Sequence, residues 1–221
     1  MTDESELEAG FRPLRGAAWY KRAQAWALSR QSARYEDMVR GEKRALLGAL
    51  EGTVVEIGPG AGGNLEFLPP GVRWIGVEPN RYFEVHLRRR AEQLGRDIEI
   101  RAGTAERLPV DDGQADAVVS TLVLCSVGDV NATLREIRRV LRPGGRFVFV
   151  EHVAGPPRSA TRLAQTILKP LWIALGDGCH LDRDTGAAIE AGGFARVEIR
   201  RLALPVPVLG PHVAGTAWVG R

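Results

Sequence analysis

The chain has 221 residues, 44% of them apolar and 26% charged, with a formal charge of +3. That length suits one domain around a single core. The composition excludes disordered and fibrous classes, and arginines scattered as Arg88-Arg89-Arg90, Arg138-Arg139, Arg142 and Arg200-Arg201 read as solvated faces, so no nucleic-acid partner is expected. Two cysteines, no signal-like start and no apolar run near the ~20 residues that span a bilayer lead us to expect a reduced, cytoplasmic protein without a membrane anchor.

Residues 1 to about 12 are acidic and aperiodic, as expected of a mobile start. Trp19, Ala23, Trp26 and Ala27 then recur at helical spacing, and Tyr35, Val39, Leu46 and Leu50 form a second stripe. These predict two helices before the first strand. Together they make residues 1–50 a helical segment that either caps the sheet or packs on its flank, with the tryptophans facing a core. Strand 53–58 runs into a glycine turn, a short helix 62–67 ends at Pro69-Pro70-Gly71, and strand 72–78 follows. Helix 81–94, strand 97–102, strand 116–121, helix 130–141 and strand 146–151 continue the alternation, which predicts a doubly wound, mostly parallel sheet of seven strands. The rhythm breaks at Gly155-Pro156-Pro157. There an insertion, 154–184, carries an amphipathic helix through Leu163, Ile167, Leu171 and Trp172. Helix 184–191 and two final strands, 195–203 and 213–219, close the sheet with antiparallel pairing at its edge. The whole of 1–221 reads as one domain.

The stretch Thr53-Val54-Val55-Glu56-Ile57-Gly58-Pro59-Gly60-Ala61-Gly62-Gly63-Asn64 carries the chemistry. A strand that ends in a glycine turn opens a crevice to a nucleotide-like ligand, and glycines let the backbone approach it closely. Gly58, Gly60 and Gly63 also fit the dinucleotide fingerprint G-x-G-x-x-G, which keeps a nicotinamide-dependent oxidoreductase open. Glu56 favours another ligand. A carboxylate at the strand tip suits a positively charged molecule bearing an ammonium, such as S-adenosylmethionine, better than a pyrophosphate. Glu78 lies about 20 residues past the turn, where an acid at the second strand's tip can accept both ribose hydroxyls.

Taken together, Glu56-Ile57-Gly58-Pro59-Gly60-Ala61-Gly62, Glu78, Gly103-Thr104-Ala105-Glu106, Asp116, Leu141-Arg142-Pro143-Gly144-Gly145 and Ala191-Gly192-Gly193-Phe194 resemble a class I S-adenosylmethionine-dependent methyltransferase. The resemblance runs from about Tyr35 to the end and implies a Rossmann-like methyltransferase fold. Within that superfamily, Thr121-Leu122-Val123-Leu124-Cys125-Ser126-Val127, Glu151-His152-Val153, Asp177-Gly178-Cys179 and Pro211-His212 resemble the small alkyl thiol methyltransferases of the methyltransferase-like family. Animal members carry an apolar anchoring N-terminus, so membrane association is not carried over to this acidic start. Thr104 stands where related enzymes often have aspartate, which leaves a side-chain bond to the adenine amino group open.

The resemblance implies a cofactor site of Glu56, Gly58, Pro59, Gly60, Gly62 and Asn64 for the methionine end, Glu78 and Pro79 for the ribose, Gly103, Thr104, Ala105 and Glu106 for the adenine, and Thr121 and Leu122 from the fourth strand. S-adenosyl-L-homocysteine would be the product. The acceptor is expected to be a small molecule near Tyr35, Met38, Cys125, Trp172 and Cys179. A sulfonium methyl is already activated, so transfer needs mainly an aligned nucleophile about 3–3.5 Å away. A thiol of pKa ≈ 8.5 loses only about 1.5–2 kcal/mol to protonation near neutrality, against about 4 for a phenol of pKa ≈ 10. No acid–base pair stands out, so a thiol fits best, with O- or N-methylation of a natural-product or lipid-like acceptor and a non-catalytic cofactor binder as alternatives. His152, Asp177 and His180 are the candidate proton acceptors; structural hydrogen bonding competes with each. His212, before an edge strand, reads as structural. No metal site is expected from two thiols without a spacing motif.

Overall fold

The computed structural model describes residues 18–176 and 178–220. The acidic start therefore lies outside the described residues, and so does Asp177. The short apolar runs pair as strands β1 (Thr53–Ile57), β2 (Arg73–Val77), β3 (Glu99–Arg101), β4 (Ala115–Thr121), β5 (Leu141–His152), β6 (Arg196–Ala203) and β7 (Pro211–Trp218). Their order in one sheet is β3-β2-β1-β4-β5-β7-β6. The pairs β1–β2, β1–β4, β2–β3 and β4–β5 are parallel, while β7 runs antiparallel to both β5 and β6. Strand order reverses between β1 and β4, so the crevice beyond their carboxyl ends is where an open α/β sheet takes its ligand.

Helices cover both faces, which is why the central strands are almost continuously apolar. On one face Val55, Ile57, Ile75, Val77, Val118, Phe147 and Phe149 pack with Leu134, Ile137 and Val140 of α3 (Val130–Val140) and Ile189 of α5 (Thr185–Glu190). On the other, Val54, Trp74, Ala117, Val119 and Val148 meet Leu47 of α1 (Ala18–Leu47) and Leu87 and Ala91 of α2 (Glu84–Leu94). A fully buried Leu or Ile of this kind contributes roughly 1.5–3 kcal/mol. Asp129 caps α3 by accepting from Ala132 N at 3.0 Å, and Asp184 caps α5 through Ala187 N at 3.1 Å.

Three expectations are corrected. The two helices before the first strand are a single 30-residue helix, α1, since nothing between the two apolar stripes breaks a helix. Trp19 and Trp26 do not face a core. They are 73% and 53% exposed, and Lys21 and Ala25 are buried instead, so the inward face is offset from the tryptophan stripe. Residues 62–67 form consecutive tight turns rather than a helix, with Gly62 N donating to Pro59 O, Leu65 N to Gly62 O and Phe67 N to Asn64 O. Gly62 sits at φ +83, a left-handed conformation that a right-handed helix cannot include.

α1 crosses the sheet obliquely. Leu47 lies with Val54, Val39 packs against Val150 of β5 and Ala214 of β7, and Arg146 and Arg200 reach Ala49 O and Glu42. The inserted helix α4 (Ala160–Leu175) and the loop after it are fastened to the turn following β4. His180 N donates to Cys125 O at 2.8 Å, and Arg183 Nη1 donates to Leu124 O and Val127 O, both at 2.7 Å. These bonds place the insertion beside the crevice.

Candidate active site

Gly58, Gly60 and Gly62 have φ of +58, +55 and +83, so the turn after β1 needs backbone that L side chains rarely adopt. A Cβ on Gly58 would also stand 2.8 Å from Val123 Cγ2. Gly58→Ala is therefore expected to destabilise the protein by about 1–2 kcal/mol for the backbone plus the displacement of Val123. Gly95 provides the control: φ is +61, but nothing lies within 4 Å of its added Cβ. Urea denaturation should show Gly58→Ala clearly worse than Gly95→Ala; equal losses would mean the turn gives way easily.

Glu78 closes the turn from the tip of β2. Its Oε2 accepts from Gly60 N at 3.0 Å and its Oε1 from Asn80 N at 2.9 Å. Asn80 Oδ1 accepts from Tyr82 N, while Asn80 Nδ2 is buried without a partner. Glu56 lies under α1, where Oε1 accepts from Asn64 Nδ2 and Oε2 from Trp74 Nε1, both at 2.9 Å. Burial raises its pKa, opposed by Trp74, Asn64 and the charge of Lys43. Lys43 is itself 1% exposed, and its Nζ bonds both Glu36 oxygens at 2.8 and 2.6 Å. Asn64 Nδ2 also reaches Thr121 Oγ1 at 3.1 Å, which ties β1 to β4 across the crevice and leaves Asn64 Oδ1 buried and unpaired. Leu122, next in line, holds φ +58 and stays 37% exposed. A branched residue in that conformation stores about 1–3 kcal/mol of strain, as residues at ligand clamps do.

The turn Gly103-Thr104-Ala105-Glu106 docks on the loop after β4, with Glu106 Oε1 accepting from Gly128 N at 2.8 Å. A Cβ on Gly103 would stand 2.7 Å from Pro109 Cδ, so glycine is required there too.

Beyond β4 and β5, Cys125 and Cys179 share a buried cluster with Trp172, Leu181, Val208 and Leu209. The Cys125 thiol donates to Leu122 O at 3.6 Å and is pushed up by the neighbouring Cys179 and by burial, whereas Cys179 is held down by Cys125 and Trp172. Glu151 is fully buried beside them. It accepts from Ser120 Oγ at 2.5 Å, Val123 N at 3.2 Å and Leu124 N at 3.1 Å, and burial lifts its pKa to about 7. His152 is buried with its pKa lowered to about 4, chiefly by desolvation. His180 is lowered by burial and by Arg183 and Lys169. Tyr35 reaches this region from α1, stacked at a tilt on His212, and Met38 is half-buried a turn later.

The structure thus gathers Glu56, Asn64 and Thr121 on one side of the glycine turn and Glu78, Pro79 and Asn80 on the other. Cys125, Trp172 and Cys179 form a third group. Glu151, Gln165, Lys43 and His212 were not among the expected site residues. Glu151 and Lys43 left a signal: each is a charge inside an apolar pattern, Phe147-Val148-Phe149-Val150 for one and the Val39/Leu46/Leu47 stripe for the other.

A Methyltransferase domain family profile matches residues 55–149. The thiol S-methyltransferase TMT1B of Rattus norvegicus is 41% identical over 175 residues, covering 76% of this chain and 70% of that protein. TMT1B of Homo sapiens is 38% identical over 192 residues, covering 81% and 79%. Among solved structures, a putative S-adenosyl-L-methionine-dependent methyltransferase of Methanococcus maripaludis superposes with a TM-score of 0.64 at 16% identity, covering 91% of this chain and 94% of that one. The fold and the crevice are those of an S-adenosylmethionine-dependent methyltransferase. The chain belongs to the family of the TMT1 methyltransferases. Among the described residues, no helix is long and apolar enough to cross a membrane.

The residues present fit the cofactor. A buried unpaired acceptor, Asn64 Oδ1, and a buried unpaired donor, Asn80 Nδ2, flank a turn whose glycines clear the approach. Orphaned polar atoms at such depth call for a ligand partner.

Proposed function

We propose that the protein transfers a methyl group from S-adenosylmethionine to the sulfur of a small thiol. The observation that carries the acceptor class is the kinship, over about four fifths of the chain, with proteins named thiol S-methyltransferases. The apolar wall of Trp172, Leu181, Val208 and Leu209 suits a small, poorly hydrated acceptor.

When bound, the cofactor supplies an activated methyl group on a positively charged sulfur. Glu56 and Asn64, with the backbone of Gly58, Pro59, Gly60 and Gly62, hold the methionine end in this reading. Glu78, with Pro79 and Asn80, receives the ribose, and Gly103, Thr104, Ala105 and Glu106 edge the adenine. Thr121 and Leu122 face the reacting end, and α1 covers it with Tyr35 and Met38. Cys125, Trp172 and Cys179 line the acceptor. His152, Asp177 and His180 are the candidate proton acceptors. His152 starts from a neutral imidazole at pH 7, because burial holds its pKa down.

Methyl transfer by the purified protein to a panel of thiols, phenols and amines tests this reading. Thiols should turn over at neutral pH, and phenols of pKa ≈ 10 should be slower by a factor set by their smaller ionised fraction. Methylation of a phenol or amine with no thiol turned over would overturn it.

A further inference from the structure

Where the carboxyl end of β5 meets the start of β7, the antiparallel register sets His152 directly opposite His212. Their imidazoles meet edge to face, with centroids 5.6 Å apart and planes at 82°. Tyr35 of α1 lies against His212, with ring centroids 5.7 Å apart. Three buried polar atoms in this cluster have no hydrogen-bond partner: Tyr35 Oη, His152 Nδ1 and His212 Nε2. The two histidines are 2% and 4% exposed, so solvent does not satisfy them. One orphan is ordinary; three on rings from α1, β5 and β7 that meet at His212 make a polar cluster whose hydrogen bonding is incomplete.

The surroundings fix each ring. His212 Nδ1 lies 3.1 Å from Gly210 O; a carbonyl only accepts, so Nδ1 carries the proton and Nε2 is a bare lone pair. Gln165 of α4 accepts from Gly155 N at 2.7 Å, donates to Val208 O at 2.9 Å and stands 3.5 Å from His152 Nε2. Val208 is held at φ +65, a conformation a β-branched residue rarely adopts, so the loop before β7 carries strain in presenting that carbonyl. The remaining wall is apolar: Val39, Val150, Leu202, Leu204 and Ala214. Among the described residues, the charged and titratable groups facing the cluster gather at Tyr35, where Lys43 Nζ lies 5.8 Å from the ring centroid and Glu151, Glu36 and Cys125 act on the phenol, while the two imidazoles face each other. From β6 the residue opposite His212 is Leu202, and from α4 the neutral Gln165 stands against His152.

We propose that His212, through Nε2, takes the proton of the acceptor thiol, with Tyr35 Oη and His152 Nδ1 completing the socket that seats the acceptor's sulfur. This rests on the thiol reading above. The S–H bond breaks, its electron pair stays on sulfur, and the proton passes to Nε2. A thiolate is left for the methyl transfer, and the imidazolium then returns the proton to solvent. Burial keeps both imidazoles neutral at pH 7, so the lone pair is available before the acceptor arrives. The gain is bounded by the acceptor itself, because a thiol of pKa ≈ 8.5 is about 30-fold short of full ionisation at pH 7.

The test is His212→Gln in the full chain, assayed against thiols whose pKa values run from about 7 to about 10. The wild type should respond weakly to acceptor pKa. The variant should track the thiolate fraction, losing up to about 30-fold with a pKa 8.5 thiol at pH 7 and recovering most of that loss by pH 9. Unchanged rates, or a loss equal at every pH and for every acceptor, would overturn the proposal. Nitrogen NMR of labelled histidine in the cofactor-free wild type gives a second reading that survives a misfolded variant. Adding 2-mercaptoethanol should shift His212 Nε2 away from its bare-acceptor position while Nδ1 stays protonated, and no shift counts against it. If phenols or amines turn over and no thiol does, the thiol reading fails and this proposal with it. Thiol turnover with an unaltered pKa dependence in the variant removes only His212.

Discussion

Replacing Glu151 by glutamine is expected to tilt the pH dependence of stability by about 3 kcal/mol between pH 4.5 and pH 7, relative to the wild type. Burial lifts the Glu151 carboxyl from 4.5 to about 7, and the bonds from Ser120, Val123 N and Leu124 N only partly offset it. Between those values the folded chain holds a proton that the unfolded chain has lost. Its contribution is therefore fully present below pH 4.5 and is lost as pH rises to about 7. His152, the next residue, works the other way. Burial and the neighbouring His212 lower it from 6.5 to about 4, so its contribution is present above pH 6.5 and is lost as pH falls to about 4. The two slopes are similar in size and opposite in sign over the shared window, which flattens the wild-type profile there. Glu151→Gln removes one of them. The variant should gain stability from pH 4 to 6.5, and His152→Phe should instead lose stability from pH 4.5 to 7. The amide presents one acceptor oxygen to three donors, so a pH-independent loss of about 1–3 kcal/mol is also expected; only the slope reports the proton. Urea midpoints at half-unit steps of pH would show it. Parallel profiles for wild type and Glu151→Gln would mean that Glu151 stays ionised in the fold.

The sheet was legible in the sequence because its strands are short apolar runs punctuated by Gly, Pro and acids, and because α2 separates β2 from β3 and α3 separates β4 from β5. The antiparallel end could be read from the broken rhythm after Val153, although nothing local says that β7 inserts between β5 and β6. Boundaries failed where local propensity and tertiary context disagree. Gly62-Gly63-Asn64-Leu65 looks like a helix start, but the left-handed Gly62 turns the chain at every third residue instead. The inward face of α1 at its start is set by contacts of Lys21 and Ala25 that no periodicity reveals. The proposed cofactor side was legible because short local motifs supply it, each at the carboxyl end of one of the four parallel strands β1 to β4. The proposed acceptor side was legible only in part: Tyr35 and His152 were expected there, but Glu151, Gln165 and His212 were not, because these residues lie on four elements up to 177 positions apart and meet only through the β5–β7 register and the crossing of α1. A lone histidine beside Pro211 carries no sign that another imidazole will stand opposite it.

Glu78→Ala should lower affinity for S-adenosylhomocysteine at least 100-fold while the protein stays folded. Two hydrogen bonds from ribose hydroxyls to a carboxylate contribute roughly 1.5–3 kcal/mol each, and about 1.4 kcal/mol is a factor of ten. A second loss adds to this. Glu78 Oε2 and Oε1 hold Gly60 N and Asn80 N, so the same carboxylate shapes the turn that the ligand must meet. A carboxylate can accept about four bonds, so this anchoring and ribose binding are compatible, and the first pre-organises the second. Glu78→Gln separates the two roles. It keeps one acceptor oxygen at the turn but loses the charge, so its affinity should fall between wild type and Glu78→Ala. Calorimetry with the product reads the affinity, and urea denaturation without ligand reads the fold. Stability should fall by no more than about 1–3 kcal/mol for Glu78→Ala, because the amides it frees border an open crevice where water can replace the carboxylate. A folded Glu78→Ala protein that binds the product as tightly as the wild type would take Glu78 out of the cofactor site and leave it as a brace for the glycine turn alone.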